Sequence, residues 1–394
     1  MSLIGEKINI FEHNNSCRIV VAPLNWGLGH ATRCMPIINA LLQKGVTVII
    51  ASDGRALALL REEYPTLQYI ELPAYDIRYS GHALGLVPTM LWQIPKILKA
   101  IRTEQKAIQQ IVEIEKVDAI ISDNRYGCYS PAIPSVFVSH QLFLKMPFFL
   151  QFLEPMVAKT QMRFIRPFNH CWIPDFSQKD QSLSGDLAHK EPLAHDRFRF
   201  VGALSRMRRQ VEEKFVNREE DRGEIGSFLK ERYDIVAVLS GPEPQRTVFE
   251  EMLQQQVFQT DLDVLIVRGV TEKQSLQFLT DRVQAVNYLA AKELNWVLLA
   301  ADVVIARSGY STIMDLAALG KKAILIPTPG QTEQSYLSAY FQSKGVFYCT
   351  SQSKFDLKTA LKEVENYSGF GFEVAKNHLL EDTIENLLKN KTPH

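Results

Sequence analysis

The 394-residue chain has no excess of either charge, because 44 Lys and Arg side chains balance 44 Asp and Glu side chains. A protein that net charge holds to nucleic acid would be basic, so this class is not indicated, although a local basic patch would leave the balance unchanged. The length and the 46% apolar composition predict an ordinary globular protein of two or three domains.

Cysteine is also scarce, with five residues in the whole chain and no Cys-x-x-Cys pair. An odd and small number of cysteines in a long chain predicts a reducing compartment, with no disulfide framework and no structural zinc. No Asp-x-Asp motif follows an apolar strand. We therefore expect no bound divalent metal and no cofactor.

No apolar run reaches the roughly 18 residues of a membrane span, and residues 1–16 lack the features of a signal peptide. We expect a cytoplasmic protein, with 1–16 poorly ordered or partly an artificial addition. Two aromatic-rich stretches, 84–101 and 142–165, place Lys or Arg beside apolar residues. This pattern fits helices that contact the inner face of a membrane, and it also fits helices buried on a sheet.

Short β-branched runs alternate with helix-length amphipathic segments in both halves of the chain, which predicts doubly wound parallel sheets. The predicted strands are 17–23, 46–53, 67–73, 117–123, 134–140, 170–175, 233–241, 263–269, 283–289, 301–309 and 322–329. A charged stretch interrupts the alternation between the halves and is typical of an interdomain connection. The predicted organisation is a first domain over 17–205, a connection over 206–232, a second domain over 233–371, and a helical segment over 372–394 that can return to the first domain.

Gly27-Leu28-Gly29-His30 directly follows the first predicted strand. In open α/β sheets ligands bind beyond the carboxyl ends of the strands, and glycines there let a ligand approach the backbone at a helix N-terminus. A tight strand-to-helix turn is the alternative. Thr32 stands where a third glycine of the dinucleotide-binding fingerprint belongs. His30 is well placed for acid–base chemistry.

Asp123 and His140 end two later predicted strands, at the same edge of the sheet. Asn124 and Arg125 follow Asp123 and are expected to face the cleft as well. Any of His30, Asp123 and His140 could be a general base, and Asp123 could instead orient a histidine. Each could also be a satisfied polar group at a strand end, so the choice stays open.

The segment 301–334 carries three polar elements at strand ends. Its first strand ends in Arg307-Ser308-Gly309, and a helix N-terminus at that position suits a diphosphate. Asp315 lies two turns into the helix, where a carboxylate can accept hydrogen bonds from ribose hydroxyls. Glu333 and Gln334 open the next helix at the same edge. Each is otherwise an ordinary helix residue, but three such elements in 34 residues argue against coincidence.

These motifs resemble those of the glycosyltransferases with two facing Rossmann-like domains (the GT-B fold), in the family of the lipid-II-forming N-acetylglucosaminyltransferase and the galactolipid synthases. The resemblance implies a donor nucleotide-sugar, UDP-linked in that family, in contact with a set of residues in the second domain: Arg307, Ser308, Gly309, Asp315, Glu333 and Gln334. Gly27, Gly29 and His30 match the family's first Gly-rich loop. The Gly-rich loop of the second domain is reduced here to Ser240 and Gly241, in "LSGPEPQRT".

The implied function is metal-independent transfer of a sugar from a nucleotide-sugar to an acceptor hydroxyl, with lipid-linked and cell-envelope acceptors among the candidates. His30 would deprotonate the acceptor, while Arg307 and the helix N-termini stabilise the leaving diphosphate. A nucleotide-sugar hydrolase or 2-epimerase on the same fold is the alternative. A nucleotide-sugar-binding protein without turnover is the third possibility. The sugar, the base, the acceptor and the oligomeric state do not follow from the sequence.

Overall fold

The computed structural model describes residues 17–75, 86–191, 193, 196–209, 227–270, 275–370 and 378–389, with backbone alone for 86–92 and 94. The chain forms two seven-stranded sheets, and each is built from the apolar runs of one half. The predicted region 1–16 and most of the predicted connection lie outside the described residues. The two-domain Rossmann-like architecture expected from the sequence is confirmed.

The first sheet is parallel and has the strand order β3-β2-β1-β4-β5-β6-β7. Its strands are β1 Arg18–Pro23, β2 Thr47–Ser52, β3 Gln68–Glu71, β4 Ala119–Asp123, β5 Ser135–Val138, β6 His170–Ile173 and β7 Phe198–Phe200. The order reverses between β1 and β4, so the carboxyl ends of these two strands form a crevice.

The second sheet has the order β10-β11-β9-β8-β12-β13-β14, with only its edge strand β10 antiparallel. Its strands are β8 Tyr233–Val238, β9 Val264–Val267, β10 Leu276–Phe278, β11 Val283–Val286, β12 Ala301–Ala306, β13 Ala323–Leu325 and β14 Tyr348–Cys349. The sequence analysis missed β7, β10 and β14. These strands have two or three residues each and lie at sheet edges, where no continuous apolar run marks them.

Helices cover both faces of the sheets, as buried parallel strands require. The described α-helices are α1 Leu28–Gln43, α2 Gly54–Glu63, α3 Leu86–Glu115, α4 Glu154–Ile165, α5 Asp186–His189, α6 Gln245–Val257, α7 Ala291–Ala300, α8 Tyr310–Leu319, α9 Thr332–Ser343, α10 Leu357–Glu363 and α11 Leu379–Lys389. A 3-10 helix, Phe148–Leu153, precedes α4. Helices α1 and α8 follow the central strands β1 and β12. These four elements set the positions at which the polar residues meet.

The two halves touch through their helices. Helix α1 packs against α8, and the last helix, α11, lies against α1, where Lys44 and Glu385 form an ion pair of 2.6 Å. Gly185 approaches α9 so closely that an added Cβ would lie 2.5 Å from the Tyr336 hydroxyl oxygen. The carboxyl edges of the two sheets therefore face each other across a narrow cleft.

Candidate functional site

Three side chains from separate strand ends of the first sheet meet at the cleft. His30 lies at the start of α1, Asp123 is the last residue of β4, and His140 follows β5. Nδ1 of His30 is 2.7 Å from Oδ1 of Asp123. The topology thus brings together the three residues that the sequence marked as candidate acids and bases.

Arg33 occupies the centre of this cluster, and the sequence analysis did not identify it. Helix α1 carries it one turn after His30, and its side chain is buried. Its Nε and Nη2 both donate to the Asp123 carboxylate, and its Nη1 lies 3.0 Å from Nδ1 of His140. The signal in the sequence was the three-residue spacing from His30, which places both side chains on one helix face.

The contacts within this cluster shift the pKa values of Asp123 and His30. Burial alone would raise the pKa of Asp123, but the adjacent Arg33 and His30 hold that pKa well below its usual range, so the carboxylate stays ionised. Burial, and then the charge of Arg33, lower the pKa of His30. A neutral histidine beside an ionised carboxylate is the arrangement that a general base requires.

His140 links the cluster to the second half of the chain. Its Nε2 is 3.2 Å from Oε1 of Glu333 on α9. Its ring stacks on the ring of Tyr310 with centroids 3.8 Å apart, and the Tyr310 hydroxyl donates to the carbonyl of Pro174. Tyr310, the first residue of α8, is a second site residue that the sequence analysis missed.

Gly27 and Gly29 of the first loop are required for different structural reasons. Gly27 has a φ of 75°, a left-handed conformation that favours glycine, and an added Cβ would meet no atom within 4 Å. At Gly29 an added Cβ would lie 2.6 Å from the hydroxyl oxygen of Ser311 on α8, which also donates to the Gly29 carbonyl. The close neighbour of Gly29 in the structure is therefore a side chain of the second half, and the ligand approach expected at this loop stays a prediction.

Arg307 contacts protein groups that the sequence did not predict. Its guanidinium is buried, with Nη1 and Nη2 donating to the carbonyls of Ile326 and Gln245 and to Oε1 of Gln352. It also lies over the ring of Phe249. Burial lowers the pKa of Arg307 to about 10. These partners fix the loops behind the cleft, whereas Nε of Arg307 is buried without a hydrogen-bond partner among the described residues. The expected contact of Arg307 with a diphosphate stays a prediction.

Ser308 and Gln334 also bind protein groups. The Ser308 hydroxyl donates to the Gln334 carbonyl, and the Gln334 side chain accepts from the backbone N–H of Thr328 and donates to Gln331. Both side chains are buried. They hold the starts of α8 and α9 side by side, and Gly309 caps α8 between them.

Asp315 lies on α8, half-buried, and accepts a hydrogen bond of 2.6 Å from the hydroxyl of Ser205. Burial raises its pKa to about 6, against the smaller opposing effects of Arg206 and Ser205. Burial thus outweighs the stabilisation that Ser205 and Arg206 give to the charged carboxylate. Its position next to the segment after β7 places it at the boundary between the two halves.

Ser240 and Gly241 follow β8 and are exposed. Gly241 has a φ of 107°, and an added Cβ would lie 3.3 Å from the hydroxyl oxygen of Thr328, just beyond β13. The Thr328 hydroxyl is buried and has no hydrogen-bond partner among the described residues. The mouth of the second sheet therefore presents an unsatisfied hydroxyl beside an exposed turn.

Arg125 does not face the cleft as expected. It is fully buried, and it pairs with Glu104 through Nε and with Asp53 through Nη1. Glu104 also accepts from the Tyr75 hydroxyl and from the Gly127 N–H. This second charged cluster ties α3 to the strand ends behind the crevice. The adjacent Asn124 adopts a positive φ of 56° at the turn after β4.

Four apolar side chains between β5 and β6 are exposed: Phe148, Phe149, Phe152 and Met156. They lie on the 3-10 helix and on α4, while Leu142 and Ile165 of the same stretch are buried. The side chains of 84–92 lie outside the described residues. In the described ranges no helix is long and apolar enough to cross a membrane, and no group of three His, Cys, Asp or Glu residues could hold a metal ion.

The chain is similar in sequence to known glycosyltransferases. Residues 235–387 match the Glycosyltransferase family 28 C-terminal domain. The UDP-N-acetylglucosamine--N-acetylmuramyl-(pentapeptide) pyrophosphoryl-undecaprenol N-acetylglucosamine transferase of Caldanaerobacter subterraneus is 29% identical over 161 residues, covering 38% of this chain and 43% of that protein. The protein of the same name from Rickettsia akari is 21% identical over 398 residues, covering 95% of this chain and 94% of that protein.

A solved structure extends the likeness to the whole chain. The crystal structure of Acinetobacter baumannii MurG superimposes with a TM-score of 0.56 and 15% identity, covering 95% of this chain and 99% of that one. At this identity the superposition shows the fold alone. Together with the sequence matches it establishes a GT-B architecture.

Proposed function

We propose that this chain, a GT-B glycosyltransferase that resembles the lipid-II N-acetylglucosaminyltransferase family, moves a sugar from a UDP-linked donor to an acceptor hydroxyl. The observation that carries the proposal is the pairing of His30 with the ionised Asp123 at the mouth of the first sheet. The start of α8 stands directly opposite, since Ser311 contacts Gly29. A base on one wall thus faces a donor-binding edge on the other.

In the proposed mechanism Nε2 of His30 takes the proton of the acceptor hydroxyl as that oxygen attacks the sugar carbon, while the diphosphate leaves. Asp123 stays ionised, accepts a hydrogen bond from Nδ1–H of His30 and stabilises the imidazolium that forms. The N–H groups at the start of α8 and the exposed turn at Ser240 and Gly241 stabilise the leaving diphosphate. Asp315 and Glu333 accept hydrogen bonds from ribose or sugar hydroxyls.

The relatives support a transferase over the alternatives considered from the sequence, since the matched domain and the named relatives are glycosyltransferases. Thermal-shift measurements with UDP, TDP, GDP and their sugars test donor binding, because a ligand of the folded state raises the melting temperature. A UDP-sugar should give the largest shift. Product analysis then separates the reactions: free sugar means hydrolysis, and a changed sugar means epimerisation. Either result would contradict transfer.

We further propose an acceptor with an apolar tail, delivered at an anionic membrane surface. The exposed Phe148, Phe149 and Phe152 support this as an apolar contact surface. Lys159 and Arg163 on the following helix add exposed basic groups that suit an anionic surface. Such a surface should sediment with anionic vesicles at low salt and leave them as salt rises. Replacing the three phenylalanines with serine should abolish sedimentation. No sedimentation of the native protein at any salt would point to a soluble acceptor, and equal sedimentation of both proteins would show that the three phenylalanines do not make the membrane contact.

A further inference from the structure

Arg33 contacts three residues of the site, namely His30, Asp123 and His140. Its side chain is 2% exposed, so its charge is withdrawn from water. A buried arginine is costly unless its donors are satisfied, and its guanidinium has five N–H donors, no acceptor and a permanent charge. These properties restrict what its neighbours can do with their protons.

The contact with His140 fixes one tautomer. Nη1 of Arg33 lies 3.0 Å from Nδ1 of His140, and arginine can only donate. Nδ1 must therefore accept, which leaves the single proton of the neutral ring on Nε2. That atom faces Oε1 of Glu333, an acceptor, at 3.2 Å. The contacts with Arg33 and Glu333 both favour the tautomer of His140 that carries its proton on Nε2.

At His30 the same nitrogen has two neighbours of opposite kind. Nδ1 is 2.7 Å from the acceptor Oδ1 of Asp123 and 2.7 Å from the donor Nη2 of Arg33. Arg33 already uses Nε and Nη2 on the carboxylate of Asp123, which keeps that group ionised. With the proton on Nδ1, Nε2 is free to accept a proton. With the proton on Nε2, that atom could not take the proton of the acceptor hydroxyl, and the remaining lone pair on Nδ1 would face Arg33 and Asp123.

Resting on the proposed function, we propose that Arg33 is a positioning residue for His30. Its guanidinium holds Asp123 as an ionised acceptor for a hydrogen bond from Nδ1–H of His30, and it faces Nδ1 of His140 as a donor. The charged and titratable groups that face His30 are Arg33 from α1, Asp123 from β4, His140 after β5 and Glu333 from α9. The lowered pKa of His30, caused by burial and then by Arg33, agrees with this geometry.

The test is long-range ¹H–¹⁵N NMR of the full chain labelled with ¹⁵N-histidine, with the signals assigned by His30→Asn and His140→Asn. In the native protein we expect the proton on Nδ1 of His30 and on Nε2 of His140, and a titration midpoint for His30 below about 6.5. Arg33→Gln should raise that midpoint by about one to three units, the size of effect of one adjacent charge. Arg33→Lys should keep most of the lowering, because the charge remains.

A proton on Nε2 of His30 in the native protein would overturn the proposal, and so would an unchanged midpoint in Arg33→Gln. The native tautomers decide the matter if Arg33→Gln does not fold. In activity assays the acid limb of kcat/KM should move upward with the midpoint in Arg33→Gln and be largely restored in Arg33→Lys. A merely structural role would lower activity at all pH values without moving the limb. If the native protein transfers no sugar, the proposed function fails, and the NMR result still tests the role of Arg33.

Discussion

The two sheets end differently at the cleft. On the first sheet the polar groups satisfy one another, since Arg33 binds Asp123 and His140, and Asp123 pairs with His30. On the second sheet the Thr328 hydroxyl is buried without a hydrogen-bond partner among the described residues, and burial raises the pKa of Asp315 to about 6. The first edge is organised before any ligand arrives, whereas the second carries a desolvation cost that a polar ligand would offset.

The largest expected effect follows from removing the base on the organised edge. His30→Ala should lower turnover by roughly 10²–10⁴-fold, the usual size of a lost acid–base contribution, with nearly unchanged donor affinity. Steady-state kinetics and calorimetric titration with the donor measure the two quantities. His378→Ala, at an exposed position before α11, is the matched control. Normal turnover in a folded His30→Ala protein would move the base to His140 or Asp123.

A smaller effect is expected from a substitution at the edge of the second sheet. It should change the affinity for the nucleotide. Asp315→Ala should weaken binding of UDP itself by roughly 10–150-fold, which corresponds to a lost charge-assisted hydrogen bond of about 1.5–3 kcal/mol. A deoxyribose analogue should bind the native protein less well and lose little more in the variant. Equal UDP affinity in the two proteins would remove the ribose contact from the proposal.

Thr328→Val sharpens the comparison, because it replaces an unpartnered buried hydroxyl with a methyl group of similar size. The melting temperature should stay unchanged or rise, while donor affinity falls by about 2–10-fold if the hydroxyl serves the ligand. Thr160→Val, at an exposed position on α4, should leave donor affinity unchanged and serves as the control. A clear loss of stability without loss of affinity would show that the hydroxyl is structural.

The smallest effect concerns stability against pH. The folded-state pKa of Asp315 is about 6, above its ordinary value of 3.8, so folding favours the protonated form. Its contribution to stability is complete below about pH 4 and is lost as the pH rises to about 6. Asp315→Asn, which stays neutral, should therefore melt about 2–5 °C above the native protein at pH 7.5 and close to it at pH 4. The same difference in melting temperature at pH 7.5 and at pH 4 would show that the titration of Asp315 does not cause it.

The sequence predicted the first edge well because buried parallel strands are continuous apolar runs with sharp ends. His30, Asp123 and His140 each follow such a run, and the carboxyl ends of neighbouring parallel strands meet at one edge. Arg33 escaped notice because a basic residue in an amphipathic helix is usually solvated. Its contact with His140 joins residues 107 positions apart, so only the assembled fold reveals it.

The second edge was harder to predict because the direction of a side chain changes from one residue to the next. Arg307 follows β12 directly, yet its side chain enters the core beside Phe249 and not the cleft. Ser308, its neighbour, is committed to Gln334. The sequence correctly predicted the turn after β12. Which of its side chains point into the core depends on how both sheets pack around it.

The placement of Tyr310 limits how the halves of such proteins can be recombined. By sequence it opens a helix of the second sheet, but its ring stacks on His140 and its hydroxyl donates to the Pro174 carbonyl, both in the first half. A chimera that joined residues 233–370 to a foreign N-terminal half would bury this hydroxyl without an acceptor unless a carbonyl stood at the same place. Grafting a new N-terminal half therefore requires the transfer of residues 140 and 174 together with the helix that meets them.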